Sequence, residues 1–140
     1  MTKETISGGC LCGAVVFEFD TPSLWAAHCH CTMCRRAHGA AYVTWVGVRE
    51  SGFRITKGDA DLVHYDSSDH LTRSFCGRCG SSILCNDHRH DSVIDITLAN
   101  LHSPLDRAVS SHIYFDCRAG WVDIDDDLQK RGGDTGLEPL

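Results

Sequence analysis

No run of 18 apolar residues occurs anywhere in the 140-residue chain, so no segment reads as a membrane-spanning helix. Residues 1–9 are polar and have neither the basic start nor the apolar stretch of a secretory signal, which gives the expectation of a cytoplasmic protein without a membrane partner. Basic charge is short as well. Lys and Arg number 13 against 19 Asp and Glu, and a net charge of -6 offers a nucleic acid no electrostatic footing. Nor does the chain hold an internal repeat, a Ser/His/Asp set, a phosphate-cradling glycine loop or a glycosidase carboxylate pair, which removes those enzyme classes.

With 42% hydrophobic residues the chain can build one core, and the expected division is a single domain over residues 1–129 with a flexible tail at 130–140 (KRGGDTGLEPL) that has little to bury. Short strands between turns dominate, so the expected class is mainly β. Val15, Phe17 and Phe19 alternate with Val16 and Glu18, the mark of a half-buried strand, and residues 41–48 (AYVTWVGV) are apolar on both faces, as a central strand requires. Further strands are expected over residues 53–56, 62–65, 71–75, 81–85, 93–98 and 111–115. A helical turn is expected from Thr32 to His38, stopped by Gly39, and a second over residues 121–128, where Trp121, Ile124 and Leu128 share a face.

Cysteine, in contrast, is abundant. Nine in a chain expected in a reducing compartment point to metal before disulfides, and Cys10/Cys12 or Cys29/Cys31 stand too close in sequence for an easy bridge. Cys76-Gly77-Arg78-Cys79-Gly80 has the form of a metal knuckle, in which glycine permits the tight turn and backbone N–H groups face the sulfurs. A closed tetrahedral site needs two more ligands, and Cys10 and Cys12 are the natural donors. Cys29, Cys31 and Cys34, in CHCTMC, supply three thiols, which suits a second zinc with one position open; His28, His30 or His38 would close it. Arg35, Arg36 and Arg78 lie beside these sulfurs, either as charge compensation or as forks for a ligand carboxylate. Cys85 and Cys117 read as small buried residues, His88 and His90 as a solvated turn, and His112 as a structural histidine.

The segments GGCLCGAVVFEF, CHCTMCRRAHGAAY, FCGRCGSSIL and HIYFDCRAGWVDIDDDL, in that order, resemble the glutathione-dependent formaldehyde-activating enzyme family, which includes the centromere-protein-V-like proteins. The resemblance implies a β-tent fold of antiparallel sheets and two zinc ions per chain. By the same resemblance Cys10, Cys12, Cys76 and Cys79 hold the structural zinc, and Cys29, Cys31 and Cys34 the catalytic one. It further implies a carbon–sulfur lyase of the S-(hydroxymethyl)glutathione synthase type, joining glutathione or a similar thiol to formaldehyde or another small aldehyde. Within that chemistry Arg35 or Arg36 is a candidate for a substrate carboxylate and His38 for a proton relay. Two rival readings are a non-catalytic thiol-binding or partner-docking module, and a related zinc enzyme with another carbonyl or thiol substrate.

Overall fold

The computed structural model describes residues 4–140; Met1, Thr2 and Lys3, the start of the expected domain, lie outside the described residues. Twelve strands and one α-helix follow in the order β1 Thr5–Gly9, β2 Val16–Asp20, β3 Trp25–Cys29, α1 Thr32–His38, β4 Val43–Arg49, β5 Phe53–Lys57, β6 Leu62–Asp66, β7 Leu71–Cys76, β8 Ser82–Asp87, β9 Val93–Thr97, β10 Ser111–Ile113, β11 Gln129–Gly132 and β12 Glu138–Pro139. The mainly β class expected from the sequence is the class observed.

β1, β2 and β5 form a three-stranded antiparallel sheet, and the other nine form one sheet in the order β12-β11-β10-β3-β4-β9-β8-β7-β6. The large sheet is mixed, because β10 runs parallel to both β3 and β11. One core lies where the two sheets meet: Ile6, Val15, Phe17 and Phe19 pack with Val46, Val48, Ile83, Ile94 and Ile96. Phe17 and Phe19 are fully enclosed, each worth roughly 1.5–3 kcal/mol relative to exposure. A second, smaller cluster joins Cys29, Cys34, Val43, Trp45 and Cys85. Because successive side chains of a strand point to opposite faces, β4 contributes Val46 and Val48 to the first core and Val43 and Trp45 to the second. The central strand read at residues 41–48 is therefore buried on both sides, as its two-faced apolar pattern requires.

Helix α1 keeps the limits its sequence announces. The Cys31 thiol accepts from Cys34 N–H as the N-cap, and Gly39 ends the helix in the left-handed conformation at φ 60°. The expected helix at residues 121–128 is absent. Asp126 Oδ1 accepts Leu128 N–H at 3.1 Å, a local bond that competes with helical pairing, and Trp121 is 72% exposed instead of buried. In the same region, over the segment expected as a tail, strands join the large sheet. β11 adds to β10, β12 pairs with β11, and Tyr114 N–H donates to Gly136 O at 3.0 Å. β10 and Tyr114 are remote in sequence from residues 129–140, so local composition gives no sign of those two contacts.

Candidate metal centres

Cys10 follows β1 and Cys76 ends β7, and both belong to the larger core. With Cys12 and Cys79 they bring four sulfurs within 4.8 Å of one another. Cys10 Sγ lies 3.7 Å from Cys12 Sγ, and Cys12 Sγ lies 3.8 Å from Cys76 Sγ. A tetrahedral zinc with Zn–S bonds near 2.3 Å sets its sulfurs about 3.8 Å apart, so the group fits a four-thiolate ion without rearrangement. The surrounding backbone is already turned toward the sulfurs: Val15 N–H donates to Cys10 Sγ at 3.3 Å and Arg78 N–H to Cys76 Sγ at 3.4 Å. Gly80 adopts φ 81°, which lets the chain turn back after Cys79. The Ser81 hydroxyl, 3.3 Å from Cys79 Sγ, helps draw that thiol down to about 5. Arg78 itself points outward and pairs with Asp61 at 2.9 Å, so its sequence neighbourhood does not make it a ligand fork.

Cys29, Cys31 and Cys34 also lie within 4.8 Å of one another, on the opposite face of β4 from the larger core. Strand β3 fixes Cys29, the helix cap fixes Cys31, and the first turn of α1 fixes Cys34. No histidine joins this group among the described residues. His28 bonds Thr44 Oγ1 through Nδ1 at 2.7 Å, His30 bonds His112 at 2.8 Å, and His38 stands edge-on to Trp45 at 5.3 Å. The three histidines considered as closing ligands are thus turned to other partners. Three soft sulfurs with no fourth protein donor fit a zinc that keeps one position for a ligand.

The electrostatics of the trio are uneven. Hydrogen bonds from Cys29 and Cys31, with the Arg73 charge, draw Cys34 down to about 2, while Cys29 is pushed up by the same pairing and by burial. Arg73 is the residue that sequence reasoning missed. Its Nη2 donates to Cys34 Sγ at 3.6 Å, and its Nε and Nη1 are buried with no partner. The available signal was the β7 register, which sets Arg73 opposite Cys85 on the face carrying the trio. Next along that row, Cys85 pairs with Asp95, whose carboxyl burial pushes up to about 7, with Asp87 and Cys34 adding to the rise. Tyr114 packs against the same cluster and, at φ 51°, is the one non-glycine residue in the left-handed region among those described.

A surface cavity of about 260 Å³ opens beside α1, lined by Thr32, Arg35, Arg36, Gly39, Ala40 and Trp121. Arg35 is partly committed, since its Nη1 donates to Cys117 O at 2.9 Å. A larger cavity of about 490 Å³ is lined by Leu24, Arg49, Glu50, Ser51, Ser92 and Val93, and holds neither cysteine nor histidine. Cys85 is buried, Cys117 is only half-buried, and His88 and His90 are exposed in their turn. No helix of the described residues is long and apolar enough to cross a membrane.

The sequence model of the family described as glutathione-dependent formaldehyde-activating enzyme matches residues 5–117. A Halomonas elongata protein named "Putative glutathione-dependent formaldehyde-activating enzyme" is 26% identical over 143 residues, which cover 90% of this chain and 85% of that protein. A crystal structure of a Rhodobacter sphaeroides protein aligns with a TM-score of 0.60 at 26% identity, covering 71% of this chain and 91% of that one. The matched stretch holds all the cysteines of both sulfur groups, and the chain belongs to the glutathione-dependent formaldehyde-activating enzyme family.

Proposed function

We propose that this chain holds two zinc ions and joins a small thiol, glutathione being the family's, to formaldehyde or a similar small aldehyde. The observation that carries the reading is the contrast in ligand number: four sulfurs in one group, three in the other. Cys10, Cys12, Cys76 and Cys79 would hold the structural ion, and Cys29, Cys31 and Cys34 the second. A zinc ion held by three thiolates supplies one open coordination position, at which an incoming sulfur stays deprotonated near neutral pH.

The reaction is an addition without redox change. The thiol gives up its proton, the sulfur pair forms the new bond to the carbonyl carbon, and the carbonyl oxygen takes a proton to become hydroxyl. The reverse is the lyase direction for which such enzymes are named. Burial lowers the basicity of His38, so its imidazole is neutral at pH 7 and able to accept or return that proton. Arg36, with Arg35 held to Cys117 O, lines a cavity that begins at Thr32, directly after Cys31, and would take a carboxylate of the thiol substrate. The reading requires a compartment where thiols remain free, which is the cytosol.

Thiols add to formaldehyde unaided, so the decisive measurement is the rate of adduct formation at matched free thiol, with and without zinc-loaded protein. The expected result is a rate excess that disappears in Cys31→Ser. A rate equal to the uncatalysed one would leave a thiol-binding module and remove the enzyme. A panel of aldehydes and thiols then separates formaldehyde from other carbonyl substrates.

A further inference from the structure

His30 stands between two sulfur-bearing residues, yet its side chain leads away from them. His30 Nε2 lies 2.8 Å from His112 Nδ1, and His112 Nε2 lies 2.8 Å from Asp126 Oδ2. Both imidazoles are 1% exposed, enclosed by Tyr42, Phe115 and His28. Asp126 also accepts Leu128 N–H and Lys130 Nζ on its other oxygen, at 3.1 and 3.3 Å. The carboxylate comes from a segment without regular structure, beyond the residues 5–117 that match the family.

Charge gives this chain of bonds a direction. An ionised carboxylate only accepts, so His112 must carry its proton on Nε2. In the neutral ring His112 Nδ1 is then a bare acceptor, and His30 donates from its own Nε2. One carboxylate thus fixes the tautomers of two buried rings. Residue 30 is consequently held twice to β10, by its ring to His112 and by its backbone N–H to Ile113 O at 3.0 Å. Cys29 is paired with Ile113 in the same ladder. The three rings do not form a metal site of their own, because His28 Nδ1, His30 Nε2 and both nitrogens of His112 are engaged in these bonds.

We propose that Asp126 and His112 are positioning residues for the three-thiol centre: the carboxylate–imidazole–imidazole chain locks His30 and thereby sets the spacing of Cys29 and Cys31. The proposal rests on the reading of that trio as a metal-holding site. Partners that orient the residues around a metal ordinarily contribute 10- to 100-fold to metal affinity, and here the orienting bond acts on the backbone between two ligands.

The test uses the full chain loaded with cadmium-113 and labelled with nitrogen-15 on histidine. In the unsubstituted protein His30 and His112 should both show the Nε2–H tautomer, with two separate cadmium resonances. Asp126→Ala should release the His112 tautomer, shift or broaden only the three-thiol resonance, and speed chelator removal of that ion about tenfold. Asp126→Asn, whose side-chain oxygen still accepts from Nε2–H, should keep the tautomers and most of the retention. A freed tautomer in Asp126→Ala with an unchanged three-thiol resonance and chelation rate overturns the proposal. So does equal loss of both ions, which would mean general loosening. Uptake of a single cadmium by the unsubstituted protein would instead bring down the metal reading on which the proposal rests, whatever the tautomers show.

Discussion

Cys12 and Cys76 meet across 64 residues of chain, whereas Cys29, Cys31 and Cys34 come from a single hexapeptide. The first group ties the end of β1 to the end of β7 and sits in the larger core, with Cys76 wholly buried. An ion there closes a long loop and counts toward folding. The second group is set by local geometry, one strand end and one helix turn, and an ion there would close almost no loop. An open coordination position on the locally built group would let a ligand come and go without loosening the sheet.

Cys76→Ser should give the largest effect. Structural zinc contributes on the order of 10 kcal/mol of apparent folding free energy, so loss of a fully buried ligand should leave the chain unfolded or insoluble, read by circular dichroism and zinc content. A folded, soluble variant retaining two ions would erase the distinction between the groups. Cys31→Ser should instead lose about one zinc and the thiol-dependent rate while the fold persists. Global unfolding of that variant would show that the trio too is structural.

Arg73→Gln sharpens the contrast from the ligand's side. A zinc with three thiolates carries a formal charge of about -1, and an incoming thiolate adds another, so a buried guanidinium with two unpartnered nitrogens is the counter-charge at hand. Its removal should weaken glutathione binding about 10- to 100-fold, since a hydrogen bond to a charged group is worth about 1.5–3 kcal/mol. Zinc content should stay at two. An unchanged Kd in a calorimetric titration would remove Arg73 from the ligand site.

The two groups were not equally legible in the sequence, and neither was the fold. Local devices could be read directly: the β2 alternation, the two-faced β4, the Cys31 to Gly39 cap-to-cap helix and the clustering of the cysteines themselves. Features made by distant pairing could not. β11 lies beside β10 in parallel, Arg73 meets Cys34 only through sheet register, and the bond from Asp126 to His112 joins an acidic run that reads as a solvated helix face. In each case the partner supplies the meaning of the residue. The tail at residues 130–140 illustrates the point, because its composition is that of a loose end while its backbone completes the edge of the large sheet.

Asp95 offers the smallest effect and the most selective one, because it tests the trio's face of the sheet without touching a ligand. Its carboxyl is held near 7 in the fold against about 3.9 in an unfolded chain, chiefly by burial and then by Asp87 and Cys34. A folded-state value above the unfolded one means that the native protein binds more protons between those limits, so stability falls as pH rises through that window. Allowing for its partial exposure, the loss between pH 5 and 8 should be about 1 kcal/mol. Asp95→Asn removes the titrating group, so its advantage over the unsubstituted protein should grow from pH 5 to pH 8 in urea melts of the zinc-loaded forms. Parallel pH profiles for the two proteins would mean that the carboxylate is already neutralised by the cationic Arg73 two strands away, and that the charge on this face is balanced before any ligand arrives.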